Sequence, residues 1–213
     1  MSKFVEFTSK GSIIKIFGRE RAVDIIKGYF EYNNAVVKER FMTSPVKYNN
    51  IIYPRSAVYV SFHFGPFFNA PLLLLKNNIN LNFVASKLST TKLDQFSKII
   101  AADDLTFTED NVLLGDTPSG MRRIIEELKK GNSLFSLIDT GVGVGDIKKN
   151  GRALTYNLIN AQLYVKSAII QLAFKYDIPI VPVFSTWKKE EEIVQINFEG
   201  TIYPADEIDY YST

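Results

Sequence analysis

The single histidine of the chain, His63, follows an apolar run at residues 57–62 and precedes a Gly65-Pro66 turn. Imidazole is the side chain whose ordinary pKa allows it to accept and release a proton near neutral pH. A predicted strand that ends in one histidine therefore indicates a general base at the edge of a sheet. The alternative is a histidine that is hydrogen-bonded at the strand end and has only a structural role.

The elements that must position this histidine alternate between strand and helix patterns, which predicts an α/β fold with helices on a largely parallel sheet. The predicted strands cover residues 57–62, 80–85, 133–138, 178–184 and 193–198, the last with the alternation of a half-exposed edge strand. The predicted helices of the core cover residues 67–76, 91–100, 117–130 and 160–176. Residues 103–117 are predicted to be polar, with a short strand-like piece at 105–107.

The chain is long enough for one sizeable core, so we predict a single domain over residues 1–213. It divides into a helical N-terminal segment at 1–48, with helices at 18–30 and 31–42, and an α/β core at 49–200. Functional sites of parallel sheets lie at the C-terminal ends of the strands. His63 and Asp139 both occupy such predicted ends. Asp139 is thus either a functional carboxylate or a cap of its strand.

Composition excludes several classes of protein. The 213 residues contain 25 basic and 23 acidic side chains, no cysteine and one histidine. This balance does not indicate nucleic acid as a partner, and the absence of cysteine excludes disulfides and thiolate chemistry. One histidine with scattered carboxylates predicts no metal site. The glycines at 141, 143 and 145 lack the spacing of a dinucleotide or phosphate-binding loop.

The N-terminus lacks the long apolar core of a signal peptide, and the longest apolar stretch, Pro71 to Leu75, is too short to cross a bilayer. We therefore expect a soluble, cytoplasmic protein. Peripheral contact with the inner face of a membrane through the N-terminal segment is left open.

Four motifs, in a fixed order over residues 30–200, carry a resemblance to a known family. They are Val60-Ser61-Phe62-His63-Phe64-Gly65, the block Phe83 to Lys87, the helix and strand from Ile124 to Asp139, and the proline-containing strand Asp177 to Val183. In this order they resemble the lysophospholipid acyltransferase superfamily, in particular the lipid A biosynthesis (lauroyl/myristoyl) acyltransferases. The resemblance implies a glycerolipid-acyltransferase-like fold.

The resemblance also implies an activity, the transfer of an acyl or aminoacyl group from an acyl carrier protein or coenzyme A thioester to a hydroxyl or amine. His63 would deprotonate the acceptor, which attacks the thioester directly, so no covalent enzyme intermediate and no bound cofactor are needed. Lys87 matches the position at which the family handles acceptor phosphate, usually with arginine. A lysine grips phosphate less specifically. Together with the missing N-terminal membrane helix of the family, it favours a soluble acceptor over lipid A.

The chain departs from the family at the carboxylate of its His-x-x-x-x-Asp/Glu motif. That position holds Phe68, followed by Asn69. Three interpretations remain open: Asp139 replaces the carboxylate, Asn69 or a backbone carbonyl orients the imidazole, or the site is inactive. The last would make the protein an acyl-chain or partner-binding protein on a degenerate fold. A thioester hydrolase is a further alternative.

The remaining candidate site residues surround these positions. Backbone N–H groups near Phe64 and Gly65 are candidates for stabilising an oxyanion. Four phenylalanines are candidates for lining an acyl channel, with packing in the core as the alternative: Phe62, Phe64, Phe67 and Phe68. Arg152 is a candidate for the pantetheine phosphate or a simple loop charge. Four further basic residues are predicted to belong to a solvated helix face, with contact to phosphate or an acidic carrier protein as the alternative: Arg122, Arg123, Lys129 and Lys130.

Overall fold

The computed structural model describes residues 43–49, 54, 56–62, 66–85, 108–138, 153–158 and 161–204. The helices predicted at 18–30, 31–42 and 91–100, the strand-like piece at 105–107 and the glycine-rich stretch at 141–145 lie outside these ranges. The described part confirms an α/β architecture with a mostly parallel sheet.

Seven strands form the central sheet in the order β1-β9-β8-β2-β5-β3-β4. Their bounds are β1 Val46–Tyr48, β2 Val58–Ser61, β3 Leu81–Ala85, β4 Val112–Leu114, β5 Ser133–Leu137, β8 Ile180–Lys188 and β9 Ile193–Phe198. The strands from β8 to β4 in this order are parallel to their neighbours, whereas β9 runs antiparallel to β8 and carries β1 parallel to itself. All four residues of β2 are buried, as expected for the centre of a parallel sheet.

Three helices of the described chain cover the two faces of the sheet: α1 Asn69–Lys76, α2 Pro118–Lys129 and α3 Ala168–Lys175. Alternate residues of each strand point to opposite faces. Tyr59 therefore packs with the leucines of α1 on what we call the α1 face. Val58 and Val60 pack with α2 and α3 on what we call the α2–α3 face. The core is thus two apolar layers, one on each side of the sheet.

The predicted start and end of α2 are confirmed by its caps. Pro118 occupies the first turn, and the Thr117 hydroxyl accepts a hydrogen bond from the Gly120 N–H at 3.0 Å. This bond satisfies one of the backbone donors that a helix start leaves free. Gly131 follows with φ of 81°, in the left-handed region that ends helices and that glycine adopts without strain.

The predicted helix over residues 160–176 is wrong in its first half. Residues 153–158 (β6) and 161–166 (β7) form an antiparallel hairpin, a two-stranded sheet of its own, and α3 begins only at Ala168. The apolar residues of 161–166 alternate with period two. In the register they lie opposite residues 153–158, which also alternate and for which no strand was predicted. A short apolar segment does not distinguish strand from helix until its partner is known.

Three further predictions need correction at the sheet edges. The polar stretch 103–117 contains a short 3₁₀ helix at Glu109–Asn111 and the edge strand β4. The helical segment 1–48 ends in a strand, since β1 occupies Val46–Tyr48. Strand β9 is not an edge, because β1 pairs with its outer side. Each error concerns a segment of three residues or a pairing partner distant in sequence, which local patterns do not reveal.

A polar cluster closes the opposite end of the sheet from the ends of β2 and β5. The carboxylate of Glu127 accepts hydrogen bonds from Lys130 Nζ at 2.8 Å, from Asn132 Nδ2 at 2.5 Å and from Asn82 Nδ2 at 3.2 Å. Asn80 Nδ2 in turn donates to Asn132 Oδ1 at 2.7 Å. One carboxylate therefore joins the end of α2 to the beginnings of β3 and β5.

These bonds predict a pH-dependent stability. They lower the pKa of the Glu127 carboxyl from its ordinary 4.5, chiefly through Lys130 and then through Asn132. A lowered pKa in the folded state means that the stabilisation is complete above the unfolded value and is lost as pH falls through the folded one. We expect Glu127→Gln to lower the free energy of unfolding by about 1 kcal/mol at pH 7 and by much less at a pH well below 4.5. Urea denaturation at both pH values measures this difference.

Exposed Glu126, on the same helix, supplies the control, since Glu126→Gln should change the free energy of unfolding little at either pH. A Glu127→Gln deficit that is as large at low pH as at pH 7 would contradict the role assigned to the charge.

No helix within the described ranges has the length and apolar character needed to cross a membrane.

Candidate functional site

The candidate site lies where β2 and β5 end. These strands pair in parallel from Val58 opposite Leu134 to Ser61 opposite Leu137. The pairing continues one step further, because the N–H of Ile138 donates to the carbonyl of Ser61 at 2.9 Å. The two strands therefore end side by side, and positions 63 and 139 each follow a registered residue by two positions.

His63 and Asp139 themselves lie outside the described residues, as do Phe64, Gly65, Lys87 and Arg152. Of the predicted site residues, the structure describes Phe68 and Asn69.

The space beyond the ends of β2 and β5, next to Ser61 and Leu137, is what we call the corner. The start of α1 forms one side of it. Asn69 is buried, and its N–H donates to the carbonyl of Pro66 at 3.0 Å, so the chain enters the helix through a tight turn. Phe68 is partly buried and packs against the apolar layer of the α1 face, with its ring 4.1 Å from that of Phe67. The residue at the family's carboxylate position thus contributes to the core.

Strand β8 forms the other side and extends well beyond the end of β2. Val60 pairs with Pro182, yet β8 continues to Lys188, paired with β9 throughout its second half. Phe62, the residue after β2, stacks on Phe184 with ring centroids 6.0 Å apart and an interplanar angle of 13°. The ribbon of β8 and β9 therefore makes a wall beside the strand ends, and the Phe62–Phe184 pair closes the corner on the α2–α3 face.

This wall contains a polar residue that sequence reasoning missed. Ser185 is 2% exposed, and its hydroxyl has no hydrogen-bond partner within the part of the chain that the structure describes. The predicted strand ends at residue 184, one position before Ser185, whereas β8 continues to Lys188. A lone serine in an apolar strand gives no local signal, so only the register of β8 against β2 reveals its position.

The basic residues of α2 lie apart from this corner and mostly have partners within the protein. Arg123 donates to the carbonyl of Asp110 at 3.0 Å, Lys130 bonds to Glu127, and Lys129 Nζ lies 5.5 Å above the ring centre of Tyr176. These contacts confirm the interpretation of a surface helix face and give no support for a phosphate site there.

Comparison with known sequences adds no family assignment. A scan of the chain against protein-family models matches none, and a search of curated proteins finds no match either.

Proposed function

We propose that this protein is an acyltransferase that moves an acyl or aminoacyl group from a carrier-protein or coenzyme A thioester to a hydroxyl or amine. The observation that supports the proposal is the register of β2 and β5, because the paired residues Ser61 and Leu137 precede His63 and Asp139 in the chain by two positions each. The order of motifs that resembles the lipid A acyltransferases supports the same chemistry.

The reaction requires one base and no covalent enzyme intermediate. His63 accepts one proton from the acceptor hydroxyl, or from a neutral amine, as the acceptor oxygen or nitrogen attacks the thioester carbonyl carbon. The tetrahedral intermediate then collapses, the carbon–sulfur bond breaks, and the imidazolium returns its proton to the departing thiolate. Asp139 replaces the absent motif carboxylate, holding the imidazole in the tautomer that accepts this proton.

The acceptor we propose is soluble or amphiphilic, and the protein is cytoplasmic, with contact to the inner face of a membrane when the acceptor is there. Lys87 binds acceptor phosphate and Arg152 the pantetheine phosphate of the donor. The backbone at Phe64 and Gly65 faces the thioester carbonyl in this proposal, and Asn69 contributes to binding.

A second candidate function rests on Phe68. Because its ring packs into the apolar layer at the position of the family's carboxylate, the chain would also suit a protein that binds an acyl chain without transferring it. An acyltransferase releases free thiol from the thioester with each turnover, whereas a protein that only binds the acyl chain releases none.

The test is the release of free thiol from acyl-coenzyme A, acyl carrier protein and glycyl carrier protein thioesters. Each donor is assayed with and without a lysophospholipid, a glycolipid and a primary amine. We expect release that depends on one class of acceptor and yields the acylated acceptor. Release without acceptor would identify a hydrolase, and binding of the donor without release would favour the second candidate.

A further inference from the structure

Ser185 lies on β8 just beyond the residues that pair with β2. Val58 pairs with Ile180 and Val60 with Pro182, and the stack of Phe62 on Phe184 lies two residues further along both strands. Ser185 is the next residue of β8, and His63 is the residue that follows Phe62 in the chain. On the other side of β2, Ser61 pairs with Leu137, two residues before Asp139.

The serine also lies on a defined face. Alternation along β8 puts Ser185 on the same side as Val181 and Val183, which pack against α1. The buried Asn69 begins α1 on this side. The Ser185 hydroxyl thus belongs to the corner enclosed by β8 and the start of α1, on the α1 face.

A buried hydroxyl without a partner is unfavourable in the free protein. Taking a hydroxyl out of water without a new hydrogen bond destabilises the folded state, and alanine would fill the position without that penalty. Most of the buried side chains beside Ser185 on the α1 face are hydrocarbon, among them Val183 and Ile196. A polar residue at this place is therefore explained best by a partner that arrives with the substrate.

We propose that Ser185 contacts the substrate and donates a hydrogen bond from its hydroxyl to the carbonyl oxygen of the thioester. This inference rests on the proposed function. The attacked carbonyl must lie next to the base, and β8, which carries Ser185, is about 4.8 Å from β2, the strand that precedes His63 in the chain. As the acceptor attacks, the carbonyl oxygen gains negative charge and the bond from Ser185 strengthens. Donors of this kind act mainly on the transition state.

The experiment compares wild type, Ser185→Ala and Ser185→Thr in the thiol-release assay with the best donor and acceptor. We expect Ser185→Ala to lower kcat by about 10²- to 10³-fold with little change in KM, as for loss of one oxyanion donor. Ser185→Thr keeps a hydroxyl and should recover part of the rate. The midpoint of thermal unfolding of Ser185→Ala without substrate should be equal to or above that of wild type.

Thr186→Ala is the matched control. Thr186 is the next residue of β8, is exposed, and has its hydroxyl 3.5 Å from the carbonyl of Gln195. This variant should keep the wild-type rate. The inference is wrong if Ser185→Ala turns over as fast as wild type, or if its rate loss is accompanied by a lower unfolding midpoint, since a serine with a structural partner would behave so.

A failure of the proposed function gives a different pattern. If wild type releases no thiol from any donor, the thermal shift caused by lauroyl-coenzyme A decides the remaining point. A smaller shift for Ser185→Ala than for wild type supports contact between the hydroxyl and the thioester without turnover. Equal shifts, or no shift for wild type, overturn the contact together with the reaction.

Discussion

Replacing His63 with alanine is expected to reduce acceptor-dependent thiol release by about 10²- to 10⁴-fold, the usual contribution of a general base. The physical reason is that a neutral hydroxyl or an ammonium is a poor nucleophile until a base removes its proton. The assay uses the donor and acceptor on which wild type is most active. It is read as kcat and KM, because the loss should appear in kcat.

Asp139→Asn extends the same test to the orienting group. In the proposed mechanism Asp139 orients the imidazole, so we expect this variant to lose a rate factor approaching that of His63→Ala, as happens when an imidazole loses the carboxylate that sets its tautomer. Asn69→Ala is the comparison, since Asn69 is the alternative orienting residue. A large loss in Asn69→Ala with an unaffected Asp139→Asn would reverse the assignment. Wild-type rates in His63→Ala would refute the catalytic interpretation altogether.

Replacing Gly120 with alanine is expected to lower the free energy of unfolding by at least about 3 kcal/mol. A Cβ at this position would lie 1.9 Å from the carbonyl oxygen of Leu114 and 2.8 Å from the Thr117 hydroxyl oxygen. Backbone cannot give way as a side chain does, so α2 must move off β4. That movement also disturbs the hydrogen bond from the Gly120 N–H that caps the helix.

Gly200→Ala supplies the control for this prediction. A Cβ at Gly200 meets nothing within 4 Å, and its backbone is not in the left-handed region. Its urea midpoint should equal or slightly exceed that of wild type. Equal midpoints for Gly120→Ala and Gly200→Ala would show that the contact between α2 and β4 is not as close as described.

The elements with local signals could be predicted from the sequence. Thr117, Pro118 and Gly131 mark the ends of α2, and the apolar runs before His63 and Asp139 give β2 and β5 within one residue at each end. Hydrophobic runs and helix caps involve only a few consecutive residues, so they can be recognised in the sequence without knowledge of the fold.

The incorrect predictions concern elements whose pairing partners are far away in sequence. The strand β7 looks like the start of a helix until its register with β6 is known. Ser185 looks like the residue after a strand until β8 is aligned with β2. The candidate site shares this property. Its residue types could be predicted from the sequence, whereas the pairing of β2 with β5 on one side and with β8 on the other could not.

The joining of β1 to β9 has a consequence for how the protein matures during synthesis. The side-chain amide of Asn49, just after β1, exchanges two hydrogen bonds with the backbone of Phe198, 149 positions later. At ribosomal rates of about 5–20 residues per second, roughly 7–30 s separate the synthesis of these two partners. During this time β2 lacks its neighbour β8, and its free edge is a template for pairing with other nascent chains. We therefore expect the yield of native protein to rise when weak induction lowers the number of nascent chains present at one time.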